Sequence, residues 1–304
     1  MDNKTSANEV ILLGFSNDMK TNICLYVIFF FIYFFCVIGN CLMICVIILS
    51  PPLHTPMYFF LVNLSFIDMS CSSSAVPKLL VDLLSTHKTI SVIGCLIQFN
   101  FIILIGASEC QLLAVMAYDR YIAICCPLHY HVLMRWRVCY YLTAFVWIFS
   151  FINTIIPSLV MPITMCYPNK INHFMCELQS VLKLSCDDTS IQELVIFSIG
   201  FIALLLPFVF IIGSYFCIIS SILKIRSTGR SKAFSTCTSH ITVVVMYFGT
   251  AMLTYLRSSS MHSLSRDKYI SIFYVMICPM INPLIYSLNN RDVKKALVMV
   301  TRPR

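Results

Sequence analysis

Residues 23–49 read ICLYVIFFFIYFFCVIGNCLMICVIIL, a stretch without a single charged side chain. A second uncharged stretch extends from Leu194 to Leu223. An α-helix rises ~1.5 Å per residue, so about 20 residues cross the hydrocarbon core of a bilayer. Both stretches are therefore long enough to cross a membrane as helices.

The composition of the whole chain agrees with these two stretches. Of 304 residues, 59% are hydrophobic and 11% are charged, whereas soluble domains contain about 25% charged residues. A soluble fold of this length could not bury so much apolar surface in one core. We therefore predict an all-α membrane protein, a seven-transmembrane helix bundle. Its predicted spans are 23–49, 57–84, 92–118, 138–162, 194–223, 234–256 and 269–288.

The chain shows neither an internal repeat nor a linker, which predicts a single domain over 1–304. An N-terminal tail (1–22) precedes the helix bundle (23–288), and a short tail (289–304) follows it. The short tail places apolar residues on one helical face beside two lysines, which predicts a short amphipathic helix along the inner leaflet. The apolar residues are Val293, Ala296, Leu297 and Val300, and the lysines are Lys294 and Lys295.

The basic residues predict the orientation of the bundle. With the N-terminus outside, the inner segments carry 12 basic residues against Asp119 and Asp292, and cytoplasmic loops are the ones enriched in Lys and Arg. We expect an extracellular N-terminus and a cytoplasmic C-terminus. The net charge of +8 then reflects membrane topology, and we expect no nucleic acid partner. The sequon Asn3-Lys4-Thr5 is a candidate glycosylation site on the outer tail.

Four of the 16 cysteines lie on the predicted outer side: Cys95 at the top of the third span, and Cys166, Cys176 and Cys186 in one long loop. The outer side is oxidising, so disulfides are expected there, and four cysteines permit three pairings. A metal site built from His173 and Cys176 is the weaker alternative, because two ligands alone are poor evidence for a metal.

Polar residues within the spans mark a second group of candidate positions. Asp68 and Glu109 are acids at membrane depth, which is costly unless they are paired or hydrated. In the seventh span, Pro283 frees a carbonyl that Asn282 or a neighbouring span can satisfy. Asn40 in the first span extends this polar cluster.

Four motifs together resemble the vertebrate olfactory receptors, a branch of the rhodopsin-like G-protein-coupled receptors. They are PMYFFL at 56–61, MAYDRYIAIC at 116–125, KAFSTCTSH at 232–240 and PMINPLIY at 279–286. The outer loop with three cysteines is similar as well. The chain departs from the family pattern at Tyr247-Phe248-Gly249, where Phe-Tyr-Gly is usual, and at Asn289, where Arg is frequent.

The resemblance implies an odorant receptor of the plasma membrane and not an enzyme. Its partners would be a small-molecule odorant, a heterotrimeric G protein of the olfactory stimulatory type that raises cyclic AMP, and membrane lipids. The resemblance also implies the pairings Cys95–Cys176 and Cys166–Cys186. No cofactor is implied, apart from a sodium ion at Asp68 and Glu109.

By the same resemblance, a set of inner residues carries activation. Asp119 would pair with Arg120 at rest, and outward movement of the sixth helix would free Arg120 for the G protein. Tyr215 and Tyr286 would move inward to support the open state. The whole set is Asp119, Arg120, Tyr121, Tyr215, Asn282, Pro283 and Tyr286. The cluster of Asn40, Asp68 and Glu109 would hold sodium or a shared proton; the alternative is two protonated acids bonded to Asn40 and Asn282.

One face of the third span is the candidate ligand wall. Its residues recur at three- and four-residue spacing and so share one helical face: Phe99, Ile102, Ile103, Gly106 and Ala107. By resemblance, this face looks into an outer cavity shared with Phe248, Ala251, Met252 and Tyr255; helix–helix packing is the alternative. Because an uncharged wall cannot offset desolvation of an ion, we expect a small, neutral, largely apolar ligand oriented by the Tyr255 hydroxyl.

Other classes of membrane protein fit the sequence less well. Transporters usually show internal repeats and paired broken helices, and an intramembrane enzyme needs a nucleophile with a base or a metal cluster. Retinal binding needs a lysine in 269–288, which contains none, and amine receptors have an acid where this chain has Ile102.

Overall fold

The structure, a computed structural model, describes residues 8–166, 169–224, 227–255, 264–288 and 290–301. Seven of its helices are long and apolar enough to cross a membrane, which confirms the predicted bundle. They are α1 (Met19–Leu49), α2 (Pro56–Leu84), α3 (Val92–Cys125), α4 (Trp136–Val160), α5 (Ser190–Lys224), α6 (Ser227–Tyr255) and α7 (264–288). The sequon at Asn3 and the side chain of Tyr255 lie outside the described part of the chain.

Several helices are longer than the predicted spans, and α3 and α6 differ most. Helix α3 continues to Cys125, beyond the predicted end at 118, and α6 begins at Ser227, ahead of the predicted start at 234. Hydrophobicity marks only the part of a helix that lies in lipid, whereas helical hydrogen bonding can continue into the aqueous phase. The predicted amphipathic helix is present as α8 (Arg291–Thr301), with Val293 and Ala296 buried and both lysines exposed.

The helices differ in how much of their surface the bundle covers. In the membrane-spanning part, 11% of α4 and 17% of α5 is buried, against 56% of α2 and 50% of α3. Helices α4 and α5 therefore present broad apolar faces to lipid, which is a favourable solvent for them. The polar candidates Asp68, Glu109 and Asn282 lie on the covered helices α2, α3 and α7, and Asn40 is buried on α1.

Helix α7 consists of three consecutive segments. Leu264–Ile272 is α-helical, Phe273–Ile277 is π-helical and Cys278–Leu288 is α-helical again, with Pro283 inside it. A π-helical turn and an internal proline both interrupt the regular backbone bonding of a helix. The outer and inner halves of α7 are thus joined through a non-standard segment.

A small sheet covers one end of the bundle. The sequence analysis did not predict this sheet. Its central strand β1 (Glu9–Leu12) pairs antiparallel with β2 (Thr89–Ser91) and parallel with β3 (Lys170–Ile171). The structure contains both disulfides that the resemblance implied, Cys95–Cys176 and Cys166–Cys186. The sheet and the loop held by these disulfides form one lid.

Candidate functional site

The backbone of α7 has two carbonyls that prolines leave without their helical donor. Pro283 lacks the N–H that would bond Pro279 O, and Pro279 lacks the one that would bond Val275 O. Asn40 of α1 donates from Nδ2 to Pro279 O at 2.9 Å, and Ser72 of α2 donates from Oγ to Val275 O at 2.8 Å. Side chains of two neighbouring helices therefore replace both missing backbone bonds.

The two intramembrane acids are buried next to this junction. Asn282 donates from Nδ2 to both carboxylate oxygens of Asp68, at 3.0 and 3.1 Å. Glu109 is only 2% exposed, and its Oε1 has no hydrogen-bond partner among the described residues, nor does Asn282 Oδ1. The amide of Asn40 bonds Pro279 O, and no bond from Asn40 to either acid, as the alternative of two protonated acids requires, is present among the described residues.

The expected pair between Asp119 and Arg120 is absent from the ion pairs of the described residues. Asp119 instead accepts a hydrogen bond at Oδ1 from the hydroxyl of Tyr130, at 2.8 Å. Consecutive residues of a helix point in different directions, so the neighbouring Arg120 is poorly placed to reach this carboxylate. Tyr130 comes from the loop after α3, and burial raises the pKa of its phenol. The sequence analysis did not identify Tyr130.

A histidine joins three helices towards the end of the bundle opposite the lid. His240 of α6 lies 3.1 Å from Leu113 O of α3 through Nε2, and 2.8 Å from the Tyr215 hydroxyl of α5 through Nδ1. A carbonyl can only accept, so Nε2 carries the proton, and in a neutral ring Nδ1 then accepts the Tyr215 hydroxyl. The sequence analysis noted His240 only as part of a motif. A histidine in an apolar span was the available signal for this role.

The remaining predicted activation residues lie around the same region. Tyr286 is buried, and its hydroxyl has no hydrogen-bond partner in the described part of the chain. Tyr121 and Arg120 are half-buried. Pro283 packs with its ring 3.5 Å from where a Cβ at Gly39 would lie.

The candidate ligand residues are divided between two environments. Phe99 packs in an outer cluster with Cys95 and Cys176, whereas Ile102, Phe248 and Ala251 belong to the main core. Half-buried positions separate these groups: Ile103, Gly106, Ala107 and Met252. The walls of α3 and α6 meet where Tyr247 donates from its hydroxyl to Gly106 O at 2.6 Å. The sequence analysis treated the tyrosine at 247 only as a departure from the family pattern.

One crevice lies elsewhere, at the lid. It has a cavity volume of about 10 Å³ and is lined by Leu12, Gly14, Leu79, Asp82, Leu83, Lys88 and Phe174. None of the predicted ligand residues lines it.

Side chains attach the lid to the bundle at several points. Gln98 of α3 accepts from the Cys176 N–H at 2.9 Å and donates to Ser74 O of α2 at 2.9 Å. Lys268 of α7 is 7% exposed and donates to Gly14 O and to Asn172 Oδ1, the latter at 2.8 Å. Cys176 is oxidised in a disulfide, so it has no thiolate to offer a metal beside His173.

Comparison with known proteins agrees with this arrangement. The olfactory receptor family model matches residues 29–302. The chain is 46% identical to olfactory receptor 5AR1 of Mus musculus over 97% of this chain and 96% of that receptor. It is 45% identical to olfactory receptor-like protein OLF3 of Canis lupus familiaris, over 97% and 93% of the two chains. It is 44% identical to olfactory receptor 2F1 of Homo sapiens, over 97% and 94%. The chain therefore belongs to the olfactory receptor family, whose members are G-protein-coupled receptors and not enzymes.

Proposed function

We propose that this receptor binds a small, neutral, largely apolar odorant between the outer halves of α3 and α6 and activates a stimulatory heterotrimeric G protein, which raises cyclic AMP. The observation that carries this proposal is the polar connection of α5 and α6 to α3 through His240. It is a small set of bonds at the inner end, where a G protein would bind.

Opening the inner half of α6 would break the bonds from His240 to Leu113 O and to Tyr215. Each hydrogen bond contributes about 0.5–1.5 kcal/mol net. A ligand needs only a differential affinity of that order to shift the population of such a two-state helix. The energy of these two bonds is therefore within the range that a small odorant can supply.

Two residues at the inner end fit contact with a G protein. Arg120 is half-buried and has no carboxylate partner within ion-pair distance among the described residues, so it is available to a partner protein. Leu128 is 92% exposed on the short turn Pro127–His129, and the bond from Tyr130 to Asp119 holds the following residues to α3. An apolar side chain presented on a fixed turn suits a hydrophobic pocket in a partner.

The acid cluster fits a sodium ion or a shared proton. Glu109 Oε1 and Asn282 Oδ1 are acceptors without a donor among the described residues, and Asp68 lies beside them. A cation or a proton would satisfy these oxygens, because buried acceptors without partners are costly.

The lid supports an extracellular N-terminus. Strand β1 pairs with the loops after α2 and α4, so the N-terminal segment lies at the same end as both disulfides. Disulfides form in oxidising compartments, and the basic residues lie on the opposite side. Both facts support our proposal that this end lies outside the cell and that the receptor resides in the plasma membrane.

The test is Arg120→Ala in cells that express the stimulatory G protein. We expect odorant-evoked cyclic AMP to fall to background at matched surface levels, because the ligand site is intact and only coupling is lost. Arg137→Ala is the control, since Arg137 is an exposed basic residue at the start of α4 and should leave the response unchanged. A normal response in the Arg120 variant would contradict the proposed coupling.

A further inference from the structure

The segment between β1 and α1 crosses the lid end of the bundle as a short strap. We call residues 13–18 the strap; β1 ends before it at Leu12, and α1 begins after it at Met19. Gly14 within the strap has φ +64°, a left-handed conformation that glycine adopts without the steric cost of a Cβ. The strap is therefore fixed at both ends and contains a turn that requires glycine.

The ring of Phe15 fills the space between three parts of the receptor. Its centroid lies 5.5 Å from the ring of Phe29 on α1, 5.2 Å from that of Phe174 in the loop after α4, and 6.2 Å from that of Tyr269 on α7. These separations lie within the range of favourable aromatic pairs. Phe29 and Phe174 are buried, so Phe15 acts as a plug over this end of the bundle.

Two lysines hold the backbone of the strap. Lys268 of α7 donates to Gly14 O, and its ammonium lies 5.8 Å from the centroid of the Phe15 ring. Lys88, in the loop after α2, donates to Ser16 O at 3.1 Å. Water can replace both bonds when the strap lifts, because folding exchanges bonds to water for bonds within the protein. The strap is thus closed by contacts that a modest free energy can release.

In the described part of the chain, the crevice beside the strap has room for about one water molecule. Gly14, Lys88 and Phe174 line it against α2, and its cavity volume is about 10 Å³, which is about the space that one water molecule needs. An odorant with several carbon atoms is far larger. A ligand that reaches this margin from the outer aqueous phase can therefore enter only if the strap moves.

We propose that the strap is a gate for odorants: the bond of Lys268 to Gly14 O breaks, Phe15 swings outward about Gly14, and the strap closes again over the bound ligand. The inference rests on the proposed function for the site of binding and adds the route of entry. Strand β1 and the start of α1 stay in place, so neither the sheet nor the two disulfides have to open.

The experiment measures how fast a reagent from the outer water reaches the ligand wall. Ile103→Cys places a thiol on that wall, where Ile103 is half-buried against the outer cluster. Intact cells are treated with sulfonatoethyl methanethiosulfonate, which does not cross membranes, and peptide mass spectrometry gives the modified fraction of this cysteine. Thr86→Cys in the same molecule is the reference, because Thr86 is exposed in the loop after α2.

The variants remove the closing contacts without changing the ligand wall. Lys268→Met keeps the length of the side chain and removes the ammonium. We expect it to raise the rate at Ile103→Cys by about tenfold or more, the factor that one hydrogen bond to a charged group represents, with no change at Thr86→Cys. Phe15→Ala, which removes the plug, and Gly14→Ala, which strains the left-handed turn, should act in the same direction.

A matched control and a second readout separate the gate from a general loss of structure. Lys183→Met is the control, since Lys183 is an exposed lysine of the lid loop, and it should leave both rates unchanged. Hydrogen–deuterium exchange of the purified receptor is the second readout. Lys268→Met should speed exchange in the strap and leave the exchange of α3 as in the wild type.

Two results would overturn the inference. One is an unchanged rate at Ile103→Cys in both Lys268→Met and Phe15→Ala, which would mean that ligands enter by another route. The other is faster exchange throughout α3 in Lys268→Met, which would show that Lys268 supports the fold as a whole. Neither readout requires signalling. A wild-type receptor that reaches the surface but answers no odorant with cyclic AMP would contradict the proposed function, whereas unchanged access contradicts this inference alone.

Discussion

The amide of Asn40 stabilises α7 at a position where α7 cannot stabilise itself. Its Nδ2 donates to Pro279 O, the carbonyl that Pro283 leaves open, and the residue is fully buried. Ser72 likewise donates from Oγ to Val275 O, the carbonyl that Pro279 leaves open. These bonds matter more than most polar contacts in a bilayer, because no water can replace them.

Replacing Asn40 with Leu should destabilise the receptor by about 1–3 kcal/mol, because Pro279 O would then be buried without a donor. Thermal unfolding of purified receptor in lipid nanodiscs measures this loss. Asn153→Leu is the control: Asn153 donates to Phe149 O of its own helix at 2.8 Å, a carbonyl that already has a backbone partner. Equal losses in the two variants would show that the freed carbonyl is not the cause.

For single residues, the sequence predicted which groups need a hydrogen-bond partner more reliably than it predicted which residue is the partner. Pro283 alone indicates an open carbonyl, because the chemistry of proline is local. The donor depends on which helix packs against α7, and no local pattern in the sequence encodes that. For the same reason Asp119 was assigned to its neighbour Arg120, whereas the structure bonds it to Tyr130.

Among the elements, the lid is the one that sequence patterns could not reveal. Its strands are two to four residues long, too short for an alternating pattern, and β1 pairs with residues far away in the chain. The helices were predictable because each carries its own hydrophobic signal. The lid is held instead by long-range bonds such as those of Lys268 to Gly14 and Asn172.

The lid should lose stability in acid through His173. Burial, and then the charge of Lys268, lower the pKa of this ring to about 3, although Glu177 at 3.4 Å would favour the protonated ring. The unfolded ring titrates near ~6.5, so below that pH only the unfolded state takes up the proton, and stability falls as the pH drops towards 3. Above about pH 6.5 the ring is neutral in both states, so His173 adds no pH dependence to the stability.

Thermal unfolding at pH 7.5, 6.5 and 5.5 measures this effect. We expect the melting temperature of the wild type to fall in the acid range and that of His173→Gln to fall less. His87→Gln is the matched control, because His87 is exposed at the same end of the bundle. Parallel curves for wild type and His173→Gln would refute the assignment.

The disulfide Cys95–Cys176 joins the lid to the start of α3. Cys95→Ser and Cys176→Ser should each reduce surface expression severely, and the double variant should be little worse than either. The two residues share one bond, so their effects cannot add. Quantitative surface labelling gives the expression levels, and finding Cys95 as a free thiol by peptide mapping would contradict the pairing.

For the molecule as a whole, charge and hydrophobicity act on different properties. The uncharged stretches determine how many times the chain crosses the bilayer, and the basic residues determine which end stays inside. Both signals accumulate over many residues, so single substitutions rarely erase them. The ligand wall has no such redundancy, and its assignment to α3 and α6 depends on a few contacts such as that of Tyr247 with Gly106.

Topology can be tested through the sequon at Asn3. Asn3→Gln should shift the receptor to the electrophoretic mobility of the enzymatically deglycosylated wild type, because the glycan can be added only on the outer side. The sequon Asn63-Leu64-Ser65 lies inside α2, so Asn63→Gln should leave the mobility unchanged. A wild-type mobility that does not respond to deglycosylation would remove this support for an outer N-terminus.

The bonds across α7 also bear on how the chain is made. The ribosome synthesises α1 and α2 long before α7. Until α7 arrives, both donors keep a hydrogen bond within their own helix: Asn40 bonds Cys36 O at 3.0 Å, and Ser72 bonds Asp68 O at 3.1 Å. The acceptors on α7 lack the regular i+4 donor of their own helix. We expect α7 to leave the translocon poorly on its own and to enter lipid by docking against the two oldest helices. A nascent receptor would then fail quality control most often at its last membrane segment, even when the defect lies in its first.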